Sequence, residues 1–351
     1  MPHPHAMKEI ALQAGVSLAT VDRVLHQRPG VRAATQRRVQ QACAELERQH
    51  QQVGLKGRRF LIDLVMEAPV RFSRMVRTAL DGAMQRAQPA VFRARDHLAE
   101  TMGVDELVAV LDAIARRGSH GVLLKAPDLP EVAAAVTRLQ QRGIPVITLV
   151  TDLQGAPRQA YVGLDNHCAG QTAAYLMAQW LGGQAVDLLV SSSGQRFQGE
   201  GERIEAFRAS MAALLPACRV HVLDAGLGLH GPTEAAVSQL LASQPGLAAV
   251  YSVGGANAAI LSAFERAGRG CRVFIGHDLD DDNLALLRDR RLSALLHHDL
   301  EHDLHMACLL LQNHGNPGNP GCVQVPRRSN VEVITPFNLP AAVLRRGGPE
   351  R

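Results

Sequence analysis

The chain has 351 residues, of which 46% are hydrophobic, enough apolar material for two or three cores and too much for a single small module. Its six cysteines are scattered without a CxxC pair, and it has no signal-peptide core and no run of about 18 apolar residues. These features exclude a recognisable disulfide framework, zinc motif or membrane span, so we expect a cytoplasmic protein with reduced cysteines.

Positive charge is concentrated at one end of the chain. The formal net charge is +4, but residues 1–59 hold ten Lys and Arg against four acids, so this segment carries +6 and the remainder −2. The asymmetry favours a polyanion partner for the N-terminal segment alone, and a solvated basic helix is the alternative.

From Met7 the sequence contains three short apolar periodicities separated by turns. Gly15 follows the first periodic stretch and suits the left-handed conformation of a helix end, while Ser17 is suited to cap the second helix. A third helix is expected from about Ala34. We predict a small all-α helix-turn-helix domain over residues 7–48, followed by a polar, glycine-containing linker over residues 49–59.

From Phe60 onward, short runs rich in Val, Ile and Leu alternate with amphipathic helical segments, and the series restarts after YVGLDNHCAG. This alternation predicts an α/β fold with two doubly wound parallel-sheet lobes and a ligand cleft at the carboxyl ends of the strands. Within an effector-binding domain over residues 60–351, we expect an N-lobe of about 60–160 with 293–322 and a C-lobe of about 161–292 with 323–340.

The run IALQAGVSLATVDRVL closely resembles the headpiece of the LacI/GalR family of repressors, with Gly-Val-Ser, Thr-Val and Arg-Val at the family's spacing. The remainder, with YVGLDNHCAG at the lobe crossover and FIGHD at a cleft strand, is similar to the family's effector domain and to periplasmic sugar-binding proteins. The resemblance spans nearly the whole chain. It implies a sequence-specific DNA-binding transcriptional regulator of repressor type, controlled by a small polar effector.

By this resemblance, the residues that reach base edges in the major groove are Leu18, Ala19, Asp22 and Arg23. Arg23 can pair with O6 and N7 of guanine, and the alternative is a surface arginine paired with Asp22. Leu18 and Ala19 can contact only thymine methyl groups. Asp22 can either accept a hydrogen bond from cytosine N4 or orient Arg23.

Phosphate contacts are predicted for Ser17, Thr20, Arg32, Thr35 and Arg38, although Arg32 replaces a typical helix-capping serine. In the family, a leucine of the linker wedges into the minor groove, and here Leu55 is the leucine available. Gly54 and Gly57 flank Leu55, and each costs about 1 kcal/mol in a helix, which disfavours a hinge helix on DNA. One headpiece makes few contacts, so a homodimer or dimer of dimers on a pseudo-palindrome is expected.

The resemblance places effector contacts at strand ends, at Phe72, Asp152, Arg196, Phe197, Asn257, Asp278 and His298. The position where relatives often carry a ligand-binding arginine falls on Gly201, with Arg203 or Arg196 as substitutes. These residue types suit a sugar, a polyol or a sugar acid. The alternatives are helix caps for Asp278 and Asn257 and lobe core for Phe72.

Neither a cofactor nor a metal is expected. The adjacent His297 and His298 point to opposite faces of a strand and cannot easily share an ion. The glycines of SVGGAN lack the GxGxxG and GxxxxGK[ST] patterns, and no GxSxG motif is present, so an enzyme is not expected. The rival functions are a solute-binding protein without catalytic activity and, as a further alternative, an α/β enzyme.

Overall fold

The computed structural model of the protein describes residues 5–55, 57–194, 196–314, 328–340 and 343, with the backbone alone described for 47–55. The chain divides into a smaller unit, Met1–Phe60 with Ala87–Phe92, and a larger unit made of the other residues. None of the helices in the described part of the chain is both long and apolar enough to cross a membrane.

The smaller unit contains three helices, α1 (Met7–Ala14), α2 (Leu18–Leu25) and α3 (Ala33–Leu55). Gly15 ends α1 in the left-handed conformation, with φ 60°, which glycine adopts without steric cost. The three helices bury one apolar cluster, as the periodicity predicts. Its buried members are Ile10, Ala11, Ala14, Val21, Val39 and Ala42.

The third helix continues through most of the predicted linker. The backbone is helical to Leu55, although the sequence predicts a linker from residue 49. Glutamine, histidine and leucine are compatible with a helix, and a single interior glycine costs only about 1 kcal/mol. A polar, glycine-containing composition is therefore compatible with a helical backbone as well as with a linker.

The first sheet of the larger unit has five strands in the order β2-β1-β3-β4-β5, and the pairs β1–β3, β3–β4 and β4–β5 are parallel. Helices α5 and α6 bury one apolar cluster with β1, β3 and β4. The bounds are β1 (Arg59–Glu67), α4 (Val70–Arg86), β2 (Val91–Ala99), α5 (Val104–Arg117), β3 (Val122–Lys125), α6 (Pro130–Gln141), β4 (Val146–Leu149) and β5 (Ala160–Val162).

The second sheet has six strands in the order β11-β10-β9-β8-β6-β7. Its pairs are parallel except for the antiparallel edge pair β10–β11. The bounds are α7 (Asn166–Leu181), β6 (Asp187–Ser192), α8 (Gln198–Leu214), β7 (Arg219–Asp224), α9 (His230–Ser243), β8 (Leu247–Ser252), α10 (Asn257–Arg266), β9 (Val273–His277), α11 (Asp281–Arg288), β10 (Ala294–His297), α12 (Leu300–Asn313) and β11 (Glu332–Ile334).

Two parallel-sheet lobes after a helical domain confirm the predicted fold class, but the lobe boundaries differ from those expected. Strand β10 belongs to the second sheet, although we assigned it to the N-lobe, and only the following α12 packs on the first lobe, against α4. Strand β5 also stays in the first sheet through Val162. An apolar run predicts a strand, but its sheet is decided by long-range pairing, here Leu295 with Gly276 and Ile334.

Candidate functional site

The second helix of the smaller unit exposes its first residues. Ser17 precedes α2 and accepts a hydrogen bond from the Thr20 amide, which confirms the predicted cap. Leu18 is 52% exposed, and Ala19 and Arg23 are also exposed. A helix that packs along one side and exposes its N-terminal turn has the form that enters a DNA major groove.

Asp22 is paired with residues other than Arg23. Its carboxylate lies 2.8 Å from Arg28 Nη1 and 2.9 Å from His26 Nδ1. The expectation that Asp22 orients Arg23, and the alternative of an Arg23–Asp22 surface pair, are therefore wrong. Arg23 makes no ion pair with any residue in the described part of the chain, so its guanidinium is available to an external partner.

The predicted phosphate-contacting residues have different environments. The Thr20 hydroxyl lies 2.8 Å from that of Ser17, so these two cap the helix together. Arg32 is exposed just before α3 and Thr35 is half-buried in its first turn. The Leu55 side chain lies outside the described residues.

Arg38 has a structural role. Its Nη2 donates to the Ala14 carbonyl at 2.7 Å and to the Gly15 carbonyl at 3.3 Å, at the C-terminal end of α1. The last carbonyls of a helix lack partners within the helix, and a cation there also interacts favourably with the helix dipole. The predicted phosphate contact of Arg38 is replaced by a helix cap.

We expect Arg38→Ala to destabilise the smaller unit by about 1 kcal/mol, because the α1 carbonyls lose a charged donor. Hydrogen exchange of the α1 amides in the full chain measures this change. Arg37→Ala removes an equal charge from an exposed neighbour and is the control, with an expected effect within about 0.5 kcal/mol. Equal exchange rates in the two variants would contradict the capping role.

A cavity of about 80 Å³ lies where the carboxyl ends of strands from both sheets meet, and it has room for several water molecules. Glu67 and Lys125 end β1 and β3, Ser193 follows β6, and His277 ends β9. This is the position expected for a ligand between doubly wound lobes. We therefore take this cavity as the candidate effector site.

Ion pairs cross the cleft at two points beside the cavity. Arg71 of the first lobe lies 3.1 Å from the Asp280 carboxylate and donates to the Gly228 carbonyl at 3.0 Å in the second lobe. In the opposite direction, Arg196 donates to both carboxylate oxygens of Glu67, at 2.8 and 3.3 Å. The structure is thus a closed arrangement in which each lobe contributes one cation and one carboxylate.

Glycine allows one of these crossings. Gly255 has φ +84°, and a Cβ there would stand 2.6 Å from Arg71 Nη2. The left-handed backbone conformation favours glycine, and a side chain here would also displace the Arg71 guanidinium from its present position. The SVGGAN run therefore accommodates Arg71.

Burial raises the pKa of the Asp280 carboxyl to about 6, opposed by the Asn283 amide and then by Arg71. Because the folded pKa exceeds the ordinary value of 3.8, this group favours folding below pH 4, and that contribution is lost as the pH rises through about 6. We expect the free energy of unfolding of Asp280→Asn to fall less between pH 4 and 7 than that of the parent protein, by up to about 3 kcal/mol. Urea unfolding of both proteins from pH 4 to 7 measures the difference. Parallel pH profiles for the two proteins would contradict it.

The second lobe contributes two groups with unused hydrogen-bonding capacity to the cavity. Asp278 has φ 67°, and its carboxylate has no hydrogen bond to any described residue. His277 accepts or donates one bond through Nε2, 2.8 Å from the Tyr251 hydroxyl, while its Nδ1 is buried without a protein partner in the described part of the chain. Asn283 supports both residues by donating to their backbone carbonyls at 3.0 Å.

The structure brings five of the eight predicted effector contacts together around the cavity, namely Phe72, Arg196, Phe197, Arg203 and Asp278. Phe72 lines the cavity and is also buried in the lobe core, so the predicted effector contact and the core alternative are compatible. Asp278 does not cap the next helix, because Asp280 does so.

The other three predicted contacts are not among the residues that line the cavity, and each bonds a protein partner. Asp152 pairs with Arg158 and accepts from Thr148 at 2.8 Å. Asn257 donates to Asn283 at 2.8 Å and is the first residue of α10, so it is not that helix's N-cap. His298 Nδ1 lies 2.6 Å from Asp303. These three expectations are corrected to structural roles, because each side chain bonds a protein partner and none of the three lines the cavity, although Asn257 Oδ1 and His298 Nε2 have no partner among the described residues.

Sequence reasoning missed several charged residues that line the cavity. These are Glu67, Arg71, Glu100, Lys125, Glu200 and Asp280. Glu67 and Lys125 are the polar residues that end buried strands, a signal that was present in FLIDLVME and VLLK. The others lie on loops and helices, and only the fold reveals that they face the cavity.

The described residues contain no group of three or more histidine, cysteine, aspartate or glutamate side chains arranged to hold a metal ion. His297 and His298 have ring centroids 6.0 Å apart and tilted planes. Their arrangement does not suggest a shared ligand.

Comparisons with known families match two parts of the chain. Residues 6–48 match the model of bacterial regulatory proteins of the lacI family, and residues 79–315 match the model of a periplasmic binding protein domain. The ribose import binding protein RbsB of Salmonella typhimurium (strain LT2) is 26% identical over 223 residues, which cover 62% of this chain and 72% of that protein.

Solved structures share the fold of the larger unit. GanP, a glucose-galactose binding protein from Geobacillus stearothermophilus, has a TM-score of 0.70 at 18% identity, covering 80% of this chain and 99% of that chain. A solute binding protein of an ABC transporter from Agrobacterium vitis, bound with alpha-D-tagatopyranose, has a TM-score of 0.70 at 18% identity, covering 82% and 98%. At this identity the likeness concerns the fold alone.

Proposed function

Because this chain belongs to the lacI family of bacterial regulatory proteins, with a headpiece followed by a periplasmic binding protein domain, we propose that it is a sequence-specific transcriptional regulator, of repressor type, controlled by a small polar effector. The observation that carries the proposal is the exposed face of α2, which begins with Leu18 and Ala19 and ends with Arg23 in the last turn, whose guanidinium is unpaired among the described residues. A free guanidinium at that position can form a bidentate pair with guanine.

The effector belongs in the cavity between the lobes. Its polar lining of carboxylates, guanidinium groups and amides, with Phe72 and Phe197 as apolar walls, suits a sugar, a polyol or a sugar acid. The relative RbsB is named for the import of ribose, a sugar, which supports the same class for this chain.

Control requires that the effector and DNA favour different lobe arrangements. An effector that adds contacts to both lobes stabilises closure, and closure in a dimer moves the two headpieces relative to their half-sites. We expect a homodimer on a pseudo-palindromic duplex, because one headpiece offers few contacts. The protein acts in the cytoplasm and carries out no catalysis in this proposal.

The test has two steps with the full chain. A thermal-shift screen of sugars, polyols and sugar acids identifies a cavity ligand, since binding to the native state raises the melting temperature. The affinity for a selected duplex is then measured with and without that ligand. Linkage requires that ligand and duplex change each other's affinity by the same factor. A ligand that binds and leaves duplex affinity unchanged would favour the rival reading, a solute-binding protein without regulatory function.

A further inference from the structure

Arg203 is a buried cation that has no carboxylate partner in the described part of the chain. It is 4% exposed on α8, and its Nε donates to the neutral Asn166 Oδ1 at 2.7 Å. No carboxylate in the described part of the chain pairs with it, whereas Arg71 and Arg196, which line the same cavity, each have one. A buried guanidinium with only a neutral partner is costly, so a compensating charge is needed from elsewhere.

Lys125 is a second such cation. Its ammonium donates to the Glu67 carbonyl at 2.9 Å and stands 3.6 Å from the centroid of the Phe197 ring. None of the described carboxylates lies within ion-pair distance of it. Burial lowers the pKa of Lys125 to about 8, although Glu200, Glu67 and Asp278 act in the opposite direction. At neutral pH most of its charge remains, and the bond to Glu67 is its one hydrogen bond within the described part of the chain.

The hydrogen on His277 can be assigned from its partner. Tyr251 is fully buried, and the sole hydrogen bond of its hydroxyl within the described residues is to His277 Nε2. Burial raises the pKa of this tyrosine, so the phenol keeps its hydrogen and needs Nε2 as the acceptor. Burial, followed by the Arg203 charge, lowers the pKa of His277, so the ring is neutral and carries its hydrogen on Nδ1. That donor is buried without a partner in the described part of the chain, and His277 is one of the residues that line the cavity.

Most carboxylates that line the cavity already have hydrogen-bond or ion-pair partners in the protein. Glu67 and Asp280 are paired with Arg196 and Arg71, Glu200 accepts from the amide and hydroxyl of Ser193, and Glu100 accepts from the Val70 amide. Asp278 alone among the cavity's described carboxylates has no hydrogen bond, and it can accept from ligand hydroxyls.

We propose that the cavity takes an anionic polyol, whose carboxylate or phosphate group accepts from Arg203, Lys125 and His277 while its hydroxyl groups donate to Asp278. This rests on the proposed function and specifies the class of its effector. A neutral sugar leaves both buried cations without an ion-pair partner, and an amino sugar adds a further positive charge to the cavity.

The test compares matched ligands on the full chain at pH 7. The probes are D-gluconate, D-galacturonate and D-glucose 6-phosphate, against D-glucose, D-galactose and D-glucosamine at equal millimolar concentration. We expect one or more of the anions to raise the melting temperature and to bind at least about tenfold more tightly than its uncharged counterpart. A response limited to the acids or to the phosphate identifies the anionic group. A neutral or amino sugar that binds as tightly, or no response to any anion, overturns the inference.

Lys125→Met supplies a readout that needs no ligand. If the lysine charge is uncompensated, the variant melts at the same or a higher temperature than the ligand-free parent and loses about tenfold or more in anion affinity. Arg196→Met, which removes a paired cation from the same cavity, is expected to melt at a lower temperature. A lower melting temperature for Lys125→Met would show that the protein already compensates the charge and would refute the inference.

The two proposals fail separately. If a neutral sugar releases the duplex, the proposed regulatory function is supported and the anionic effector is contradicted. If an anion binds but the chain shows no preference for any duplex, the anionic ligand is supported and the regulatory function is contradicted.

Discussion

Arg23→Ala should weaken binding to the selected duplex by about 1–3 kcal/mol per half-site and relax the preference at one base pair in each half-site. Arg23 is exposed on α2 and is unpaired within the described part of the chain, so its loss removes a base contact without breaking an internal one. Titration of duplexes that carry each of the four base pairs at every position measures both effects. The melting temperature should stay unchanged.

Arg28→Ala is the matched control. Arg28 lies just beyond α2, where it pairs with Asp22. Its removal lowers the local positive charge equally and should leave the base preference intact, with at most a weaker, salt-dependent affinity. Equal loss of sequence preference in both variants, or none in Arg23→Ala, would be evidence against base reading by Arg23.

Arg196→Ala should open the cleft and destabilise the larger unit by about 1.5–3 kcal/mol. The arginine bonds both oxygens of Glu67, whose side chain is 4% exposed, so the substitution leaves a buried carboxylate without its cation. Burial already raises the pKa of Glu67, although the charge of Arg196 lowers it. Removal of the Arg196 charge should therefore raise the pKa of Glu67 further. Urea unfolding measures the stability, and small-angle scattering measures the lobe opening as a larger radius of gyration.

Arg219→Ala provides the comparison, because Arg219 also bonds both oxygens of a buried carboxylate, Asp187, within the second lobe. Its loss is expected to lower stability without changing the radius of gyration. If Arg196→Ala kept the radius of the parent protein, the ion pair would not hold the lobes closed.

The headpiece was largely predictable from the sequence because its determinants are local. The helix end at Gly15, the Ser17 cap and the buried Val21 each depend on neighbours a few residues away. The extent of α3 was not predictable in this way, because a polar, glycine-containing segment is compatible with both a helix and a loop.

The effector site was predictable only in part, because its determinants are contacts between residues that are distant in the sequence. Strand ends located Arg196, Phe197 and Asp278, but the sequence could not reveal that Arg158 closes over Asp152 or that Asp303 holds His298. Ion pairs of this kind join residues from separate elements. Which polar groups stay free for a ligand is therefore decided by tertiary structure.

The most direct test of the account is a selection of duplexes from a random pool by the full chain at moderate salt. We predict enrichment of a pseudo-palindromic sequence with a conserved guanine in each half-site, bound by a dimer. If no sequence were enriched over random competitor DNA, the chain would not read base edges through α2, and the regulatory function would be contradicted.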